Sequence, residues 1–212
     1  MRKSDWGDDD EQVADDELPD GGVWRRPAGM FVLGPVEGPA AETIYALQRD
    51  FDPKLARDHL PHLTLTGSSG VGPILPGTAV EHVKRVLSEI ARTTGPLALR
   101  FEPPTRFMQS NIVSLPLDPH GPVRALHERI ARSGLPFGPV RFTFTPHVTL
   151  SFYPTLTRDS ARRLLSVRVT EPATVRRLVL SATADPFAPT MLGEFPLGGS
   201  PLEDGVDRLD EQ

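Results

Sequence analysis

Cysteine is absent from all 212 residues, which excludes a disulfide framework, a cysteine nucleophile and any thiolate metal site. Long apolar runs are missing too, so no segment reads as a bilayer-spanning helix. Arg2 and Lys3 are followed by Asp5, Asp8, Asp9, Asp10 and Glu11 with no apolar core behind them. The expectation is a soluble, cytoplasmic protein that makes no membrane contact. There is no G-x-x-x-x-G-K loop, which disfavours ATP-dependent ligation or phosphoryl transfer, and no H-E-x-x-H zinc pattern. No metal and no cofactor is expected, and no required protein partner is evident.

What the chain has instead is punctuation and unevenly placed charge. Its 23 prolines and 18 glycines interrupt apolar segments without forming a repeat, the pattern of a loop-rich globular protein. The length and the 38% hydrophobic content allow one substantial domain or two small lobes sharing an interface. The net charge of −5 averages unlike regions: residues 1–22 hold two Lys/Arg and nine Asp/Glu, and residues 198–212 hold one and five. Residues 23–197 keep 20 Lys/Arg against 14 Asp/Glu. We read 1–22 and 198–212 as disordered acidic tails around a folded, mildly basic domain at 23–197, suited to a phosphate or polyanion ligand.

Within that domain the hydrophobic period alternates between the values for strands and helices. Strands are expected at 28–36, 61–66, 97–101, 107–117, 142–153 and 175–182, and helices at 40–51, 80–91, 122–133 and 159–165. Val80, Val83, Val86, Leu87 and Ile90 make the clearest apolar stripe. The order falls into two similar halves and argues for an α+β or two-layer α/β architecture.

Pro61-His62-Leu63-Thr64-Leu65-Thr66 and Pro146-His147-Val148-Thr149-Leu150-Ser151 share one template at all six positions: proline, histidine, aliphatic, threonine, leucine, hydroxyl. Alternate residues of a strand project from the same face. His62, Thr64 and Thr66 therefore form one polar line and His147, Thr149 and Ser151 another, with the aliphatic residues turned to a core. Phosphodiester cleavage needs a base for the attacking oxygen and an acid for the leaving oxygen, on opposite sides of phosphorus. One histidine per side supplies both, because an imidazole with a pKa near about 6.5 is stable in either form at neutral pH. The threonine hydroxyls can donate to the non-bridging oxygens.

These paired motifs, their separation and the order of elements around them resemble the 2H phosphoesterase superfamily. The likeness is to its bacterial 2′-5′ RNA ligase-like, RNA 2′,3′-cyclic phosphodiesterase branch, and covers most of residues 27–197. The resemblance implies a bilobal α+β fold, with two antiparallel-rich sheets flanked by helices in pseudo-twofold symmetry about a central cleft. It implies His62 and His147 as acid and base and Thr64 and Thr149 as phosphate contacts. The implied substrates are 2′,3′-cyclic phosphate RNA ends, other cyclic nucleotides or 2′-5′ linkages, processed without ATP and with reversible RNA joining as a related activity. The alternative is a non-catalytic RNA-end or nucleotide-binding protein using the same cleft.

Other residues carry weaker signals. Tyr153 falls on the polar side of a regular strand, as a base-stacking or phosphate-bonding group. Phe107 is a stacking candidate, although an aromatic at a strand start is commonly core. Arg106 and Arg141 suit phosphate binding, with ion-pair or solvated roles favoured. His127 and His82 read as helix-surface residues and His120 as a loop residue. His59 with His62 as a metal pair lacks the further ligands zinc requires.

Overall fold

The computed structural model describes residues 29–199, apart from 68, 108–109, 111, 141, 155 and 184–188. The chain enters through β1 (Gly29–Pro35), where Met30 and Val32 alternate inward. Then come α1 (Pro39–Phe51), α2 (Pro53–Asp58) and β2 (His62–Thr64). Next are α3 (Val80–Arg92), β3 (Leu97–Leu99), β4 (Thr105–Arg106), β5 (Val113–Pro116), α4 (Pro122–Ala131) and β6 (His147–Ser151). The last elements are α5 (Arg158–Ser166), β7 (Ala173–Val175), β8 (Arg177–Thr183) and β9 (Thr190–Pro196).

Seven strands form one antiparallel sheet in the order β4-β5-β6-β2-β1-β8-β9, while β3 and β7 pair separately. Two halves repeat a single unit of strand, helix and antiparallel return strand: β1–α1–β2 and β5–α4–β6. The long helix of each unit begins the same way, α1 with Gly38-Pro39 and α4 with Gly121-Pro122. Proline suits the first turn because its missing N–H has no helical partner there. Gly38 is at φ 98° with the Pro172 carbonyl 2.9 Å from where a Cβ would stand, so no side chain fits.

The halves meet where β2 lies beside β6, and the ladder there has one register pair, Leu63↔Val148. Two antiparallel segments are thus joined along a short central seam, and this is the α+β, two-half architecture expected from the sequence. Leu63, Leu65, Val148 and Leu150 are all at most 1% exposed. Each such buried side chain contributes about 1.5–3 kcal/mol of transfer free energy, which fixes the face on which their neighbours must lie. Helix α1 packs on β6 and β7, α3 on β8 and β9, and α5 on β5. Helix α5 opens with a capping box between Thr157 and Ser160, worth about 1 kcal/mol.

At the C-terminal end, Gly198 and Gly199 still donate to the carbonyls of Ala91 and Thr94, two residues past the expected domain boundary. The tail regions 1–28 and 200–212 lie outside the described residues, as does Arg141. Among the described residues no helix is long and apolar enough to cross a membrane.

Candidate active site

The register of β2 against β6 decides the site. With Leu63 opposite Val148 on the buried face, the adjacent positions place His62 opposite Thr149 and Thr64 opposite His147. All four side chains share the open face and all four are half-buried. They form a rectangle with the histidines on one diagonal and the threonines on the other. Diagonal positions on neighbouring strands are about 7–8 Å apart, close enough for one phosphate to touch both rings. The motifs are therefore side by side in one sheet.

Each ring is held in the same way. His62 Nδ1 lies 2.7 Å from the Leu60 carbonyl, and His147 Nδ1 lies 2.7 Å from the Thr145 carbonyl. A carbonyl only accepts, so Nδ1 carries the proton in both and Nε2 is left for chemistry. Burial lowers the pKa of both imidazoles; the bonds to Leu60 and Thr145 oppose this, and the charge of His147 lowers His62 further. The like charge of His147 thus disfavours a proton on both rings at once. The Phe107 ring stands edge-on to His147 with centroids 5.2 Å apart and is 37% exposed, which puts this aromatic beside the site and outside the core. Exposed Leu60 and Phe152 flank the motifs in the chain.

The two polar lines are shorter than their sequence period suggests. Thr66 is fully buried and its hydroxyl accepts the Val32 N–H at 2.9 Å, because the chain leaves β2 after Thr64 and the side chain completes the sheet. Ser151 also departs from the expected line. Between Val113 and Ser114 the β5–β6 register shifts, so that Ser114 faces Thr149 but Val113 faces Ser151. A bulge of this kind turns the following side chain to the other face, and Ser151 is completely buried. Strand β6 ends there, and the Tyr153 ring packs under the Lys54 ammonium, 4.0 Å from its centroid. The exposed Arg106 donates from Nε to the Ser110 carbonyl at 2.6 Å. The rings of His59 and His62 are 5.6 Å apart, and among the described residues no three His, Cys, Asp or Glu come together to hold a metal.

Several residues that build the site carried no functional reading in the sequence. Asp52, at the junction of α1 and α2, is fully buried, and its carboxylate accepts N–H bonds from Leu55 (3.0 Å), Phe152 (2.7 Å) and Tyr153 (2.9 Å). It thereby holds the chain as it leaves β6. Gln48 is buried on α1 and donates to the Thr149 carbonyl at 2.7 Å. His127 was expected on a helix surface; it is 4% exposed, its Nδ1 donates to the Leu65 carbonyl at 2.8 Å, and it stacks on Phe144. The signal was available, because Gln48 follows Ile44 by four residues and His127 follows Val123 by four, each within an apolar stripe. Replacing Asp52 with Ala orphans one buried and two partly buried donors, and we expect a loss of about 3 kcal/mol in urea unfolding. An unchanged midpoint would show that the donors find water.

A mixed α+β sheet with paired His-x-Thr strands at its centre is the architecture of the 2H phosphoesterases. The chain belongs to the 2′-5′ RNA ligase superfamily, whose profile matches residues 35–185. Its fold is similar to that of TT0787 from Thermus thermophilus, with a TM-score of 0.57 at 19% identity over 81% of this chain and 98% of that one. It is also similar to apo LigT from E. coli, with a TM-score of 0.51 at 19% identity over 82% and 99% of the two chains. A third similar structure, described as a phosphoesterase, has a TM-score of 0.50 at 18% identity over 81% and 99%. No curated protein matches the sequence.

Proposed function

We propose that the protein is a phosphodiesterase acting on 2′,3′-cyclic phosphate RNA ends, cyclic nucleotides or 2′-5′ linkages, with His62 as general base and His147 as general acid. The observation that carries this is the pair of Nε2 atoms, each freed by an identical Nδ1–carbonyl bond, on diagonal corners of one open rectangle. LigT from E. coli, similar in fold at a TM-score of 0.50 and 16% identity, has been crystallised with phosphate, which supports an anion as the ligand here.

On a 2′,3′-cyclic phosphate, neutral His62 takes a proton from water and the resulting hydroxide attacks phosphorus. The bond to O3′ breaks on the opposite side, and His147 gives its proton to that oxygen, leaving a 2′-phosphate. Thr64 and Thr149, on the other diagonal, donate to the non-bridging oxygens as charge accumulates there. When a 5′-hydroxyl of a second strand replaces water, the same steps join two RNA ends by a 2′-5′ linkage. Phe107 and Tyr153 are the aromatic surfaces for the base. The groups that move protons are all side chains of the chain itself, so turnover is expected to persist in EDTA.

The test is incubation in EDTA with nucleoside 2′,3′-cyclic phosphates, 2′-5′ dinucleotides and short RNAs ending in a cyclic phosphate, with products separated by chromatography. Binding without product formation across the panel would convert the reading to a nucleotide-binding module. The pH dependence is a further prediction. The reactive species carries one proton on the pair, and its population peaks midway between two macroscopic pKa values. Burial holds both below 6.5. The kcat/KM profile should be a bell with its maximum on the acid side of 6.5; a maximum above pH 7.5 would contradict the assignment.

Folding stability shifts with pH for the same reason. His62, His127 and His147 all have depressed pKa values in the native state, so the unfolded chain binds protons first. The melting temperature should hold above the unfolded pKa of about 6.5 and fall as pH drops from there through the native values.

A further inference from the structure

We propose that Gln48 and His127 are positioning residues that together set the separation of His62 and His147, Gln48 reaching from α1 to the histidine-bearing strand β6 and His127 from α4 to the residue that follows β2. Gln48 sits on α1 of the first half and holds Thr149, two residues past His147. His127 sits on α4 of the second half and holds Leu65, three residues past His62. The two contacts are reciprocal across the pseudo-twofold arrangement, and both end on backbone carbonyls, so they grip the main chain within β6 and at the end of β2.

The seam they span needs such support. The β2–β6 ladder has a single register pair, whereas β1–β2 has three and β1–β8 has five. Backbone pairing therefore fixes each half internally but ties the two histidines together weakly. Thr149, moreover, lies at the β5–β6 bulge, where the ladder is interrupted.

The tethers are rigid. The His127 ring is stacked parallel on Phe144 at 3.7 Å. Gly70, at φ 72°, comes so close to the ring that an added Cβ would be 2.3 Å from Nε2. Gln48 is 2% exposed, with Nε2 committed to Thr149 and Oε1 lacking a partner among the described residues. A buried amide with one unmet acceptor is a poor choice for stability alone, since an apolar side chain of its size would leave no acceptor unmet. Its presence on an otherwise apolar stripe fits a task at Thr149.

The inference rests on the proposed acid-base reading, so its test has a readout that needs no turnover. The variants are Gln48→Leu, which keeps volume, His127→Phe, which keeps the stack, and His127→Asn, which keeps a donor near the Nδ1 position. With a nucleoside 2′,3′-cyclic phosphate, Gln48→Leu and His127→Phe should each lower kcat by about 10–100-fold, as expected for a displacement approaching 1 Å. KM should stay within about threefold, since ground-state binding does not need both rings in line. His127→Asn should recover at least about fivefold over His127→Phe. Values of kcat per folded molecule within about twofold of the parent in both apolar variants would overturn the proposal. Equal losses in His127→Asn and His127→Phe would overturn the part played by His127.

The second readout is titration with inorganic phosphate, followed through the imidazole proton resonances of His62 and His147. In the parent both rings should respond with one dissociation constant, because one anion bridges them. In the apolar variants the constant should stay shared, but the limiting shift change of the displaced ring should fall to less than about half its parental size, because that ring no longer lies within hydrogen-bond reach of the anion. Parental limiting shift changes at both rings in both variants would overturn the inference. Should the parent turn over nothing in the substrate panel, the functional reading alone fails, and the phosphate titration decides the positioning role.

Discussion

His62→Ala and His147→Ala should each lower kcat/KM on a 2′,3′-cyclic nucleotide by about 100- to 10,000-fold, the range for a positioned acid or base. The double variant should lose little beyond the worse single one, because the two rings act in a single transition state. Stability should change by only about 1 kcal/mol, since each ring is half-buried and contributes one Nδ1–carbonyl bond to the fold. The variants separate when the leaving group changes. An aryl phosphodiester expels an oxyanion that needs no proton, so the loss in His147→Ala should shrink by at least about tenfold on it, while the loss in His62→Ala should not. The opposite pattern would exchange the two roles. Equal rescue of both would show that neither ring is dedicated to the leaving group.

The placing of the two histidines was legible in the sequence because the template states its own geometry. A period of two puts histidine and threonine on one face, and the aliphatic residues between them choose which face is buried. The helices were equally plain: periodicity gives 40–51, 80–91 and 122–133, against α1 at Pro39–Phe51, α3 at Val80–Arg92 and α4 at Pro122–Ala131. What local pattern could not carry was anything decided by a partner strand. The reversal of Ser151 depends on a bulge against β5, and the loss of Thr66 from the open face depends on the Val32 N–H it accepts. Strand β9 went unread because Thr190–Pro196 contains Gly193 and Pro196 and lies at the sheet edge with mostly unburied side chains. Helix α2, six residues beginning at Pro53, is too short to show a period.

Asp52 marks the same boundary between local and tertiary information. Its position four residues beyond Gln48 continues the buried line of α1 through Ala40, Ile44 and Gln48, so its burial could have been inferred. Its partners could not, because Phe152 and Tyr153 are a hundred residues away. The first half thus contributes Gln48 from α1 to β6, and Asp52 from the junction after α1 to the chain just past β6. Sequence similarity between two motifs gives no hint of that exchange, since it compares each half only with its counterpart.

Three threonines at or near the same strand face give the sharpest separation of chemistry from folding. Thr64→Val and Thr149→Val remove a hydroxyl while keeping shape, at half-buried positions where no other described residue is bonded to that hydroxyl. Each should lower kcat by about 100-fold, the cost of losing one preorganised donor to a developing oxyanion. Stability should move by no more than about 0.5 kcal/mol. Thr66→Val changes the same atoms two residues past Thr64, yet it strands the Val32 N–H inside the sheet. It should leave kcat within about threefold of the parent and lower unfolding stability by about 1–3 kcal/mol. The comparison needs only kcat at saturating substrate and a urea midpoint for each variant. If Thr66→Val matched Thr64→Val in kcat, the open face would extend past the end of β2 and the polar line read from the sequence would stand as first drawn. If instead Thr64→Val and Thr149→Val left kcat unchanged, the second diagonal of the rectangle would be spectator to the reaction, and the charge on the non-bridging oxygens would have to be met by the backbone or by His147 alone.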